Sequence, residues 1–341
     1  MSFLNCPRFR VWHTKLGNVH HPYNRPVIRA QTVELDAEYR LLREEAGQLS
    51  RPDRRILELR GAESGEFLEG QLTNAIESLQ AGDGCYAALL DRKGKLRADM
   101  RVLVIAEDLI WLDTAADTSD EVERHLQMYK VGRDVEIEPR PELGMLALIG
   151  PRSSELLGGL PFGPEHTNRL TPVGGHQLRV LATDRGADLI GPEDALAAAA
   201  RELAAAGAEA VSEAAAEILR VETGRPTFGL DMGNETMPQE AGINARAVSF
   251  EKGCYIGQET VARLHYRGKP NRHLRRLLSS EPLERGAPVI TEEKQVGEVG
   301  TAVISPSRGP LALAILRREA EPGAEVTVGE GIAAKVEAIE A

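Results

Sequence analysis

The segment Lys252-Gly253-Cys254-Tyr255-Ile256-Gly257-Gln258-Glu259 carries the most distinctive chemistry of the chain. Two glycines flank Cys254-Tyr255-Ile256, and glycine permits close backbone approach and unusual dihedrals. A helical pattern, QETVARLHY, follows at once. A cysteine just ahead of a helix start sees unpaired N–H groups and the positive end of the helix dipole, and Lys252 adds a cation. Both effects lower a thiol pKa and favour the reactive thiolate. The competing reading is a small buried cysteine in a loop. Next comes RLHYRGKPNRHLRR, residues 263–276, with six Lys/Arg (Arg263, Arg267, Lys269, Arg272, Arg275, Arg276), two His and no acid. It reads as a receptor for an anionic ligand, as a docking surface for RNA or an acidic protein, or as a basic linker balanced by Glu281 and Glu284.

Other reactive types are sparse. Cys6, Cys85 and Cys254 are too few and too scattered for a disulfide framework or a four-cysteine metal site, which points to a reducing compartment. His20 and His21 are adjacent but lack a nearby Cys, or a His or Glu at helical spacing, so they read as a solvated loop and no metal is expected. No Gly-x-Gly-x-x-Gly or Gly-x-x-x-x-Gly-Lys-Ser/Thr motif is present, leaving Rossmann and P-loop readings without support.

The elements that must position these residues follow from periodicity and punctuation. Residues 1–35 read as an irregular extension. DAEYRLLREEAG (36–47) reads as a helix stopped by Gly47, and RILELR (55–60) as an alternating strand. A short helix ends near Thr73-Asn74. Strands follow through 83–114, with a turn at Asp91–Gly94, and then an amphipathic helix at 117–130. MLALIG (145–150) is a buried strand leading into a helix start at Pro151. Strands at 176–182 and 187–190 precede Ala-rich helices at 193–207 and 209–220. From Leu274 onward, short apolar runs alternate with Gly- and Pro-rich turns, the spacing of a small antiparallel barrel.

With 341 residues, the chain has room for two or three domains. The division expected is an extension (1–35), a main region (36–270) and a C-terminal β-barrel (271–341). Its formal charge of −11 argues against broad, sequence-blind binding of nucleic acid. No apolar run approaches the ~18–20 residues needed to span a bilayer, and no secretory signal is recognisable. A cytoplasmic location without membrane contact is expected.

KGCYIGQE resembles the signature of the folate-binding YgfZ-type proteins, relatives of the T protein (aminomethyltransferase) of the glycine cleavage system. FLEGQLTN with CYAALLDRKGKLRAD, ALIGPRSSELL, LRVETGRPTFGLDM…MPQEA and VGEVGTAVISPSRGPLALAIL resemble further blocks in the same order, over roughly residues 50–335. The resemblance implies an α+β, multidomain, aminomethyltransferase-like body, arranged as a ring of domains around a folate site with a C-terminal antiparallel β-barrel. It implies tetrahydrofolate, or a one-carbon derivative, as cofactor.

Asp99 falls where aminomethyltransferases carry an aspartate that contacts the reactive end of tetrahydrofolate. The T protein usually has two successive acids there, and this chain keeps only the second, in Ala98-Asp99. Read from its own surroundings, Asp99 is an exposed strand carboxylate. Glu222 matches the glutamate expected to pair with the pterin ring, whose adjacent N–H donors a carboxylate accepts together; its bland alternative is a solvated helix-end acid. Thr73, Asn74 and Tyr86 match positions near the same cavity, with Tyr86 either stacked on the ring or a core tyrosine. Lys252 is a further candidate cofactor contact, and Arg263 and Arg267 are candidate contacts for the anionic glutamate tail of the folate. Gly229, Asp231 and Met232 read as structural.

Three functions compete. In the first, a folate-binding protein supports iron–sulfur cluster assembly or repair, including that of tRNA-modifying enzymes, with Cys254 as the working thiol toward a one-carbon adduct, a persulfide or a cluster edge. A lone cysteine does not ligate a stable cluster. In the second, an aminomethyltransferase moves a one-carbon unit to tetrahydrofolate, with Asp99 orienting the folate nitrogen. In the third, a non-catalytic RNA-binding or scaffold protein uses residues 263–276.

Overall fold

A computed structural model describes residues 33–292 and 294–339. Cys6, His20 and His21 lie outside the described residues. In chain order the elements begin with α1 (Val33–Glu44), β1 (Gly47–Ser50), β2 (Arg54–Arg60), α2 (Ser64–Gln71), β3 (Gly84–Leu90), β4 (Leu96–Ala106), β5 (Leu109–Ala115), α3 (Ser119–Tyr129) and β6 (Glu136–Pro139). There follow β7 (Leu143–Ile149), α4 (Ser153–Leu156), β8 (Asn168–Val173), β9 (His176–Thr183), β10 (Gly186–Pro192), α5 (Glu193–Ala205), β11 (Glu209–Ala210) and α6 (Glu213–Thr223). The chain continues with α7 (Asn244–Ala247), α8 (Gln258–Arg267), β12 (Arg272–Ser279), β13 (Pro288–Thr291), β14 (Lys294–Ser305), β15 (Gly309–Arg317), β16 (Glu325–Val328) and β17 (Ile332–Glu337).

Three sheets result. The first is five-stranded, in the order β3-β4-β5-β2-β6; the second is six-stranded, β11-β1-β7-β10-β9-β8; the third closes as a barrel, β12-β15-β14-β13-β16-β17. The fold is thus α+β with a C-terminal antiparallel barrel, as the resemblance implied. Val289, Val299, Leu316 and Val336 fill the barrel interior. The short strands that build it alternate inward apolar and outward polar residues between tight turns.

β4 shows how the sequence positions chemistry. Leu96, Ala98, Met100 and Val102 are fully buried, and all but Leu96 join the core formed with α2 and α3. Alternation turns Arg97, Asp99 and Arg101 to the other face. The β3–β4 connection is a tight turn in which Asp91 Oδ1 accepts from the Lys93 and Lys95 amides at 2.8 and 2.9 Å, with Gly94 at φ 76°.

Arg101 joins the two open sheets. Its guanidinium donates to Asp113, directly opposite on β5, and to Asp188 on β10. Asp113 also receives two bonds from Arg54, both at 2.8 Å. Ile56, Leu103, Met145, Leu181 and Ile190 form an apolar seam around this ion-pair network.

Several expected boundaries moved. The first helix ends at Glu44, and Gly47 opens a strand in place of capping a helix. A Cβ at Gly47 would lie 2.6 Å from Val211 Cγ1, so close packing explains the glycine. The helix expected at 209–220 begins at Glu213, after the short strand β11, runs to Thr223, three residues past its expected end, and stops at Gly224 in the left-handed conformation, φ 73°.

Candidate functional site

Three adjoining cavities open where the two sheets face α6 and the segment after it. The first, about 320 Å³, is walled by Arg54, Asp99, Glu213, Glu217 and Arg220. The second shares Arg54, Asp99 and Arg220 and adds Tyr86, His166 and Arg246. The third, about 480 Å³, shares Arg185, Arg225 and Arg246 with the second and reaches His273 and Arg275 on β12.

Asp99 and Tyr86 stand together on the wall of the second cavity. The Tyr86 hydroxyl donates to Asp99 Oδ2 at 2.6 Å. Burial, reinforced by the Asp99 charge, pushes the Tyr86 phenol well above its ordinary pKa, and burial likewise raises the Asp99 carboxyl. The Tyr86 ring lies under the Arg246 guanidinium, 5.0 Å from its centroid. It belongs to an apolar cluster with Phe228, Met237 and Tyr255, so it is a wall of the site with its polar tip on Asp99.

Glu222 stands elsewhere. Its carboxylate accepts from the Tyr39 hydroxyl at 2.9 Å, from Ser305 and Ser307 of the barrel, and from Arg43 at 3.3 Å. These bonds tie α1 and α6 to the barrel. The acids that α6 presents to the Asp99 cavity are Glu213 and Glu217, on the stripe Glu213, Ala216, Glu217, Arg220. Helical phase is the reason. Five residues advance the direction by about 140° beyond a full turn, which carries Glu222 around to the barrel side. Arg220 bonds Glu217 and, at 2.6 Å, Asp231. Asp231 in turn accepts from the Thr301 amide at 2.7 Å and anchors the barrel, in keeping with a structural reading of that block.

Thr73 and Asn74 hold backbone. Thr73 Oγ1 donates to the Ala247 carbonyl at 2.5 Å and accepts from the Ala88 amide at 2.9 Å. Asn74 Nδ2 donates to the carbonyls of Tyr86 and Arg246, each at 2.9 Å. Asn74 thus fixes Tyr86 and Arg246, two of the residues that wall the second cavity, and neither Thr73 nor Asn74 lines that cavity itself.

The signature segment is a clamp around an exposed thiol. Lys252 Nζ is buried and donates to the carbonyls of Glu69, Leu72 (2.8 Å) and Asn74 (3.0 Å), closing the end of α2. Tyr255 is buried beneath it, its ring centroid 5.1 Å from Nζ. Gly257, at φ 85°, sits so close to the β3–β4 turn that a Cβ would meet the Asp91 carbonyl oxygen at 2.5 Å. Cys254 is left exposed between these anchors. The ammonium expected to activate Cys254 is therefore engaged with carbonyls. Its charge reaches Cys85 instead, where burial prevails and raises the thiol to about 12.

Arg263 and Arg267 are exposed on α8 and wall none of the three cavities. The rest of the basic run splits. Arg272 pairs with Glu240 at 2.8 Å and Arg276 with Glu337 at 3.4 Å, while Arg275 enters the third cavity. The guanidiniums that do surround Asp99 are Arg51, Arg54, Arg185 and Arg220, none of them singled out by the sequence. His166 was missed as well. It lines the second cavity at φ 76°, and burial, helped by Arg101 and Arg246, lowers its imidazole to about 3. A non-glycine residue in the left-handed region gives no sequence signal. Among the described residues no group of His, Cys, Asp or Glu is arranged to hold a metal ion, and no helix is long and apolar enough to cross a membrane.

The GCVT N-terminal domain family matches residues 11–252, well over half of the chain. The chain belongs to the GCVT family. Similar GCVT-related proteins include an aminomethyltransferase of Stenotrophomonas maltophilia, 27% identical over 85% of this chain and 82% of the relative. A tRNA-modifying protein YgfZ of Colwellia psychrerythraea is 29% identical over 71% of this chain and 74% of the relative. The fold is that of the glycine cleavage system aminomethyltransferase T from Bartonella henselae, with a TM-score of 0.81 at 23% identity over 89% of this chain and 88% of that one. The resemblance drawn from the sequence, to the YgfZ-type relatives of the T protein, is borne out at the level of family and fold.

Proposed function

We propose that this chain binds tetrahydrofolate, or a one-carbon derivative of it, in the Asp99 cavity and serves iron–sulfur cluster enzymes, including those that modify tRNA, with Cys254 as the working thiol. The observation that carries the folate reading is the pair of carboxylates, Asp99 from β4 and Glu217 from α6, on the wall of one cavity. A pterin presents adjacent N–H donors along one edge, and carboxylates are the acceptors that suit them. The donor set fits the ligand at its other end too, because buried guanidinium nitrogens of Arg185 and Arg246 lack partners in the adjoining cavities. Tyr86 and Arg220 would hold the two carboxylates in place.

Similarity to tRNA-modifying YgfZ proteins supports the tRNA-modification part of the proposal. The exposure of Cys254 within a clamped loop supports its assignment as the group that meets a client protein. The fold and the Stenotrophomonas relative favour a second reading, aminomethyl transfer to tetrahydrofolate. Ammonia release with an aminomethyl-lipoyl carrier protein separates the two.

The test has two arms. Tetrahydrofolate is expected to raise the melting temperature of the full chain in proportion to the logarithm of its concentration, and Asp99→Asn is expected to abolish that rise. In the host, Cys254→Ala is expected to lower the activity of cluster-dependent enzymes under oxidative stress. Failure of the first arm removes the folate site, and unchanged enzyme activity in the second removes Cys254.

A further inference from the structure

Helix α8 carries a face that the folate reading does not use. Arg263, Tyr266 and Arg267 lie at i, i+3 and i+4, the spacing that sets side chains next to one another on a helix surface. Lys269 follows just beyond the helix end. All four are exposed, Tyr266 by 67%. Among the described residues none of the three cations makes an ion pair. Glu259, one turn before Arg263, is exposed and unpaired with it, and no further acid occurs before Glu281. The β3–β4 turn packs against the same helix, where a Cβ at Gly94 would lie 3.2 Å from Thr260 Cβ. It adds Arg92 and Lys93, both exposed and likewise outside any ion pair among the described residues.

Rings gather at the same place. Phe250 lies flat on His265, with centroids 3.8 Å apart and planes inclined by 15°. Tyr266 meets both rings edge-on, at 6.1 Å from Phe250 and 4.9 Å from His265. Phe250 and Leu264 pack on the apolar cluster that holds Tyr255, and Tyr266 takes no part in it. The stack is therefore anchored in the core at one end and presents a braced tyrosine ring to water at the other. A braced aromatic face among unpaired cations suits a ligand with flat apolar faces on a repeating anionic backbone. Single-stranded nucleic acid has both, since every base stacks on an aromatic ring and the phosphates meet Lys and Arg. An acidic peptide brings charge without a stacking face, and a duplex keeps its base faces inside. Unstacked bases are the ordinary state of RNA loops, bulges and ends. The formal charge of −11 opposes long contact with a duplex, whereas a short unpaired segment meets only this local positive face.

We infer that the Phe250–His265–Tyr266 stack, with Arg263, Arg267 and Lys269, is a docking site for an unpaired segment of RNA. A base stacks on Tyr266, and the flanking phosphates meet the three cations. The site gives a ligand to Arg263 and Arg267, which wall none of the three cavities. The exposed Cys254 lies on the loop that leads into α8, so RNA held here is carried on the same segment as that thiol. The inference goes beyond the proposed folate site and does not depend on it.

The test is fluorescence anisotropy of a labelled, unstructured RNA of about 12 nucleotides, titrated with the full chain over a series of salt concentrations. A Kd of about 1–100 µM is expected, with log K falling against log salt at a slope of about −2, the value for three phosphate contacts on a single strand. Tyr266→Ala is expected to weaken binding by about tenfold or more and to leave the slope unchanged, with Tyr266→Phe restoring the affinity. Arg263→Gln/Arg267→Gln is expected to flatten the slope by about 1.4. Thermal melting checks that each variant folds. Duplex DNA of the same length and an Asp/Glu-rich peptide are each expected to bind at least about tenfold more weakly than the RNA, for want of a free base face. Absence of RNA binding at the lowest salt, unchanged affinity in Tyr266→Ala, or a peptide or duplex held as tightly as the RNA overturns the inference. Tighter binding of single-stranded DNA of the same sequence overturns the assignment to RNA. Each of these outcomes leaves the folate reading standing on its own titrations.

Discussion

The Tyr86 hydroxyl donates to Asp99 across adjacent strands at 2.6 Å, in a pocket wall that raises the pKa of both groups by burial. The sign of the Asp99 shift sets its effect on stability. A carboxyl whose folded pKa lies above its unfolded value holds its proton more tightly when folded. The stability this gives is present at low pH and is lost as pH rises through the folded value, so Asp99 makes the folded state less stable at neutral pH than in acid. Asp99→Asn is expected to raise Tm at pH 7 by about 2–4 °C. The gain should fade on acidification and vanish below about pH 4, near the unfolded carboxyl value. Thermal melts of both proteins across this range measure it, and a loss of Tm at pH 7 would count against a raised Asp99 pKa.

His166 gives the opposite slope. Burial lowers its imidazole to about 3, so the folded state binds fewer protons than the unfolded chain between that value and about 6.5. Stability is present above the unfolded value and is lost as pH falls toward the folded one. His166→Asn keeps a residue tolerant of the left-handed region and removes the titration. Urea unfolding at pH 7 and pH 4.5 is expected to show a smaller acid loss in the variant, by about 2 kcal/mol.

Arg101 spans two buried carboxylates on different sheets. Arg101→Met leaves Asp188 without this partner and Asp113 with only Arg54. A destabilisation of about 3 kcal/mol is expected, read as a shifted urea midpoint with unchanged m-value. A shift under about 0.5 kcal/mol would mean that the two sheets are not held by this bridge.

Lys252 closes the end of α2 through three carbonyls. Lys252→Met is expected to lose about 2–4 kcal/mol of stability, since it leaves buried acceptors unmet. The iodoacetamide reactivity of Cys254 is expected to stay within about twofold. A large fall in thiol reactivity in a still-folded variant would restore the activating role that the sequence pattern proposed for this lysine.

Much of this architecture was legible from period and punctuation. The alternation in β4 identified the strand that carries Asp99, and regular short apolar runs after Leu274 announced a barrel that closes at β12 and β17. Less legible was what depends on phase or on distant partners. Glu217 and Glu222 lie on one helix, and which acid faces the cavity depends on where α6 sits against α1 and the barrel. The stripe Glu213, Glu217, Arg220 was present in the sequence at helical spacing, but matching the family motif drew attention to Glu222. The basic run after the signature looked continuous because linear sequence does not show an element change. Arg263 and Arg267 belong to an exposed helix, whereas Arg272 and Arg276 are neutralised by Glu240 and Glu337. His166 depends on an unusual backbone dihedral, for which no residue pattern stands.

The central claim is that the cavity between Asp99 and Glu217 holds the pterin end of a folate, and that Glu222 is a structural tie. Titration calorimetry of tetrahydrofolate into the wild type, Glu217→Gln and Glu222→Gln tests it most directly. Glu217→Gln is expected to weaken binding by about tenfold or more, the scale of one charge-assisted bond, and Glu222→Gln is expected to lower Tm while leaving affinity within about twofold. Full affinity in Glu217→Gln together with lost affinity in a folded Glu222→Gln would contradict it.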